Sequence, residues 1–210
     1  MNVNLIITAV VVLFLFYLGM EYYLKRRTKQ NTLRLVQLLL KQDYAELDKL
    51  VQDPQIQKTV SLYKRNLLSF NSYLAREDGR NANRVFDQMN ELNLMSQQKI
   101  DFYGNAQSYY IEQKDKKRAE ICHQKLSTVR KHEEEKDYFN VIYQVMVNDN
   151  VSYQKLIEGR LNHEPEHKQL SDYYLLIHIY QIKKDYARVK ECQQLADKLL
   201  EKMNSKNKIA

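Results

Sequence analysis

One stretch of this chain has the spelling of a catalytic metal site. His163-Glu164-Pro165-Glu166-His167 matches the HExxH pattern, in which two histidines a helical turn apart hold zinc and the glutamate acts as base. That chemistry needs both imidazoles on one face of an unbroken helix. Pro165 removes a backbone donor and clashes with the preceding turn, so it belongs in the first turn of a helix, with Asn162 or His163 near the cap. His163 then falls outside the helix and His167 inside it, with no third ligand in evidence. No metal site is expected.

The other residues able to do chemistry are no better arranged. Cys122 and His123 are sequence neighbours, which point in different directions on a helix and form no nucleophile–base pair. There is no Walker A, GxGxxG or GxSxG motif, and four glycines in all leave little for a phosphate-cradling loop. Cys122 and Cys192 form no CxxC and no disulfide framework, and are read as small buried hydrophobes. The run Lys131–Asp137 (KHEEEKD) reads as a solvated turn and helix start. No cofactor and no enzymatic activity are expected, although a helical enzyme without a recognisable motif stays open as an alternative.

The elements that position these residues must be helices. Only 4 Gly and 2 Pro occur in 210 residues, too few turn formers for a sandwich, barrel or doubly wound sheet. The fold class is all-α. Residues 5–18 read LIITAVVVLFLFYL without a charge, and about twenty helical residues span the roughly 30 Å hydrocarbon core. The sequence therefore predicts a transmembrane helix over 5–24, retained because no small-x-small cleavage site follows it. Lys25, Arg26, Arg27 and Lys29 on its C-terminal flank predict a short exported N-terminus at 1–4 and a basic juxtamembrane segment at 25–30. The remainder would lie in the cytoplasm, in a single-pass protein of a bacterial cell membrane. Beyond residue 29 the chain carries 29 basic and 25 acidic side chains. That ordinary surface, and sixteen tyrosines mostly at core spacing, argue against nucleic acid as a partner.

Period organises the rest. Polar breaks at Asp43, Gly79, Asp115, Asn150 and Asp185 are spaced 36, 36, 35 and 35 residues apart. Nine positions before the later four stand Phe70, Ala106, Val141 and Leu176; five before stand Leu74, Tyr110, Val145 and Tyr180. These offsets share one helical face. A second amphipathic stretch follows each break: Leu47, Leu50 and Val51; Val85, Phe86 and Met89; Ile121, Cys122 and Leu126; Leu156 and Ile157; and Val189, Cys192, Leu195 and Leu199. About five helix–turn–helix units over 31–203 must stack, since one hairpin cannot bury its apolar face alone. Residues 204–210 read as a disordered tail.

This pattern resembles the tetratricopeptide repeat family. "KQDYAEL" (41–47) and "KKDYARV" (183–189) look like the family's turn into its second helix. The chain departs from the family in lacking its small residue eight before each break, where Leu35, Asn71, Gln107, Ile142 and Ile177 stand. A helical-hairpin solenoid of another type stays open. The resemblance implies a concave surface lined by the first helices. Eleven positions before each break, that surface would present Leu68, Gly104, Phe139 and Tyr174. Seven before, it would present Ser72, Ser108, Tyr143 and His178. Its aromatic C-terminal half suits a peptide or helix of a partner protein. The function expected is a membrane-anchored interaction scaffold for a cytoplasmic or membrane-associated protein, with a structural subunit of a membrane complex as the alternative.

Overall fold

The computed structural model describes residues 3–161 and 163–207, with side chains for 20–161 and 163–205. These residues form helices joined by short turns: α1 (Val3–Leu40), α2 (Tyr44–Gln52), α3 (Pro54–Thr59), α4 (Leu62–Ala75), α5 (Gly79–Asn90), α6 (Ser96–Glu112), α7 (Lys116–Ser127), α8 (Glu133–Met146), a 3-10 turn (Val151–Tyr153), α9 (Gln154–Arg160), α10 (Glu166–Ile182) and α11 (Tyr186–Asn207). They form two compact units, 1–93 and 94–210.

The breaks read from the sequence are all turns between antiparallel helices, and four are built alike. Gln42, Glu77, Lys114 and Lys184 each take a left-handed backbone, with φ of 58, 56, 57 and 58°. The next residue, Asp43, Asp78, Asp115 or Asp185, returns its N–H to the carbonyl five before it, at 2.9 Å in every case. That closes a Schellman motif at the end of the first helix. The same aspartate then caps the second helix, its carboxylate accepting from the N–H of Glu46, Asn81, Arg118 or Arg188. One residue thus ends one helix and starts the next, which is why so few glycines suffice. At the second of the breaks the capping residue is Asp78, one position before the Gly79 taken from the sequence. The fourth turn differs: Asp149 is left-handed and Asn150 caps the 3-10 turn through Ser152 N–H.

Burial follows the period. Phe70, Ala106, Val141 and Leu176 are all buried, as are Tyr110, Val145 and Tyr180. In the second helices Leu47, Leu50, Val51, Val85, Phe86, Met89, Cys122, Leu126, Ile157, Val189 and Cys192 are buried, whereas Leu156 and Leu195 are exposed. One core of 1–93 gathers Leu35, Leu47, Leu50, Ile56, Val60 and Leu68 from α1 through α4. In 94–210 a second core joins α8, α9, α10 and α11 through Val145, Ile157, Leu176, Ile179 and Cys192. The sequence reading missed α3, although Asp53-Pro54 signals it: Asp53 accepts from Gln55 N–H and Pro54 stands at the first helical position.

Two expectations are corrected. Among the described residues no helix is long and apolar enough to cross a membrane. The transmembrane helix over 5–24 is therefore not retained, nor the single-pass arrangement with residues 25–210 in the cytoplasm. The described part of α1 carries Glu21, Lys25, Arg26, Arg27 and Lys29, charges a bilayer interior disfavours; residues 5–19 of the segment lie outside those whose side chains are described. The basic segment 25–30 lies within α1. Arg27 Nη2 donates to Gln55 Oε1 at 2.9 Å and Asn31 Nδ2 to Thr59 Oγ1 at 2.7 Å, tying this stretch to α3. At the other end α11 continues to Asn207, past position 204, and 208–210 lie outside the described residues.

Candidate functional site

In 94–210 the first helices of three successive hairpins, α6, α8 and α10, line an open groove of about 580 Å³. Helix α6 presents Asp101, Gly104 and Ser108 along one face, α8 presents Glu135 and Phe139, and α10 presents Lys168. Spacings of three and four put each set on a single stripe.

The floor is set by a close approach. A Cβ at Gly104 would run into the Phe139 ring, so the absent side chain lets α8 lie against α6. Gln107, fully buried one turn on, donates its Nε2 hydrogen to the Phe139 carbonyl at 2.8 Å. Its own Oε1 finds no partner among the described residues.

Charge is uneven along the walls. Asp101 accepts one hydrogen bond, from Gln97 Nε2 at 2.8 Å. Glu135 Oε1 stands 3.7 Å from His132 Nδ1. Lys168 is already engaged, with Glu164 Oε2 at 3.3 Å and the Tyr138 ring centroid at 5.3 Å. Tyr138 also carries the Arg160 guanidinium at 5.3 Å. Arg160 in turn makes a two-pronged pair with the fully buried Asp172, with Nε to Oδ2 at 2.8 Å. Burial pushes the Asp172 carboxyl above its ordinary value despite Arg160. It pushes the Tyr138 hydroxyl up as well.

The residues expected to line a concave face are divided by the structure. Gly104, Ser108 and Phe139 meet in the groove. Tyr143 turns away from it and stacks on His123 of α7, ring centroids 4.0 Å apart and planes at 2°. Tyr174 is exposed, and His178 Nε2 pairs with Asp149 Oδ1 at 2.8 Å, spanning α10 and the turn after α8. Leu68 and Ser72 lie in the other unit and are buried; Leu68 belongs to its core, and the Ser72 hydroxyl has no partner among the described residues.

The HExxH stretch is divided as Pro165 requires. Pro165 caps α10 with φ −65° and ψ 154°, leaving His163 outside the helix and His167 inside. Among the described residues no group of three His, Cys, Asp or Glu is placed to hold a metal ion. Burial pushes the Cys122 thiol far up and that of Cys192 in the same direction, away from the thiolate that nucleophilic chemistry needs.

Known protein families, curated proteins and solved structures offer no match to this chain. Sequence reasoning missed Asp101, Glu135 and Lys168. The first two carried a signal, since Asp101 stands three before Gly104 and Glu135 four before Phe139. Nothing in the sequence announced Arg160–Asp172, whose partners lie on different helices.

Proposed function

We propose that this chain is a protein-interaction scaffold of stacked helical hairpins, tetratricopeptide-like in plan, which holds a short segment of a partner protein against α6, α8 and α10. The supporting observation is the groove itself, with the half-buried Phe139 ring seated on Gly104 as its floor. An aromatic ring already held by backbone contacts loses little entropy on binding, and polar side chains at the rim answer a peptide's backbone groups. The groove is open along its length, and the reading assigns it the binding of an extended segment.

The test is a selection from a random short-peptide library against the full chain. Affinities of the selected peptides are then compared between the native chain and Phe139→Ala, with helicity and melting temperature measured alongside. Binding that falls about tenfold or more in a folded variant supports the groove. Peptides that bind native chain and variant equally well remove it.

A further inference from the structure

The walls of the groove carry a charge opposite to that of the whole molecule. The chain has a formal net charge of +7, yet the groove holds two lightly engaged carboxylates, Asp101 on α6 and Glu135 on α8. Among the described residues, Lys168 is the one lysine or arginine on its walls, beside His167, and it is engaged by Glu164 and the Tyr138 ring. Phe139 stands on the same helical stripe as Glu135 and offers a π face. Carboxylates beside an aromatic face are what a guanidinium or ammonium group seeks.

Resting on the scaffold reading above, we propose that the occupant is a basic–apolar peptide segment: an arginine or lysine whose cation is taken by Asp101 and Glu135 while its stem covers Phe139. The long methylene stem suits this position because it packs on the ring and carries the charge on to the rim. Ion pairs at an open rim contribute modestly and are screened by salt. The carboxylates therefore select the partner, while the aromatic floor supplies most of the hold.

Two rival occupants are separated by charge. General attraction to a chain of +7 favours acidic peptides, so enrichment of basic residues must come from the groove itself, and the carboxylate variant separates the part due to Asp101 and Glu135 from that of the Phe139 ring. The experiment repeats the library selection in parallel on native full chain and on Asp101→Asn/Glu135→Gln. Both changes are isosteric and near the surface, so the fold is expected to survive.

Native chain should enrich Arg and Lys, and a selected basic peptide should bind the double variant about threefold to tenfold more weakly at low salt. High salt should shrink that difference. Equal basic content from both selections, or enrichment of acidic residues by the native chain, overturns the proposal while leaving the groove in place, provided binding still depends on Phe139. Failure to select any Phe139-dependent peptide overturns both readings.

Discussion

The ring of Phe139 on α8 lies against the bare Cα of Gly104 on α6, so close that a methyl group at 104 would overlap it. A glycine inside a helix costs about 1 kcal/mol relative to alanine. Here that cost is offset by the approach of a neighbouring helix, which Gln107 of α6 also holds through the Phe139 carbonyl. Gly104→Ala should therefore lower stability by roughly 1–2 kcal/mol, overpacking outweighing the better helix propensity. In a Phe139→Ala background the same change should raise stability by up to about 1 kcal/mol. Thermal unfolding of the four chains of this cycle measures both effects, and the absence of a sign reversal would show that the ring is not what requires the glycine.

The turns offer a sharper contrast between neighbours. Lys114 is exposed and holds a left-handed backbone that only glycine adopts without strain. Lys114→Gly should stabilise the chain by about 0.5–1 kcal/mol. One residue on, Asp115→Ala removes the cap that accepts from Arg118 N–H and should cost about 1 kcal/mol. Melting temperatures moving in opposite directions for adjacent substitutions would establish the double use of this turn.

Arg160 and Asp172 should be most sensitive to losing one partner alone. Arg160→Leu leaves a fully buried carboxylate without its counter-ion, at a cost of about 3–5 kcal/mol near neutral pH. Burial already raises the Asp172 carboxyl above its ordinary value. The folded state thus holds that proton more readily than the unfolded chain, and its relative stability falls as the pH rises through the folded value. Removing Arg160 raises that value further, so the deficit of Arg160→Leu should shrink on acidification, where Asp172 protonates. Denaturant titrations across an acid-to-neutral series test this, and a deficit independent of pH would contradict it.

His123 works in the opposite direction. Burial beneath the Tyr143 ring lowers its value, so the unfolded chain takes up the proton first. Stability should be unaffected by this group above its ordinary value of about 6.5 and be lost as the pH falls below that. In His123→Gln the loss of stability between neutral and mildly acid pH should be smaller than in the native chain. An identical pH profile would place the sensitivity elsewhere.

Local chemistry made the helical hairpins legible. Scarce glycine and proline, polar breaks about 35 residues apart, and apolar residues at offsets of three and four determined helix type, turn positions and most buried side chains, because these depend on neighbours in the chain. Even α3 was written there, in Asp53-Pro54. What periodicity does not contain is which neighbouring helix a given stripe meets. Tyr143 and Phe139 share one helix at a spacing of four, yet one stacks on His123 of α7 while the other lies on Gly104 of α6. Leu68 and Ser72 occupy the same repeat positions as Gly104 and Ser108 and are buried. The left-handed turns at lysine, glutamate and glutamine were equally invisible, since their strain is outweighed by caps and cores on either side. Pairings such as Arg160 with Asp172 arise only when separate helices are brought together, and it is that packing, depending on side-chain volumes at distant positions, that decided where the groove lies and what charge it carries.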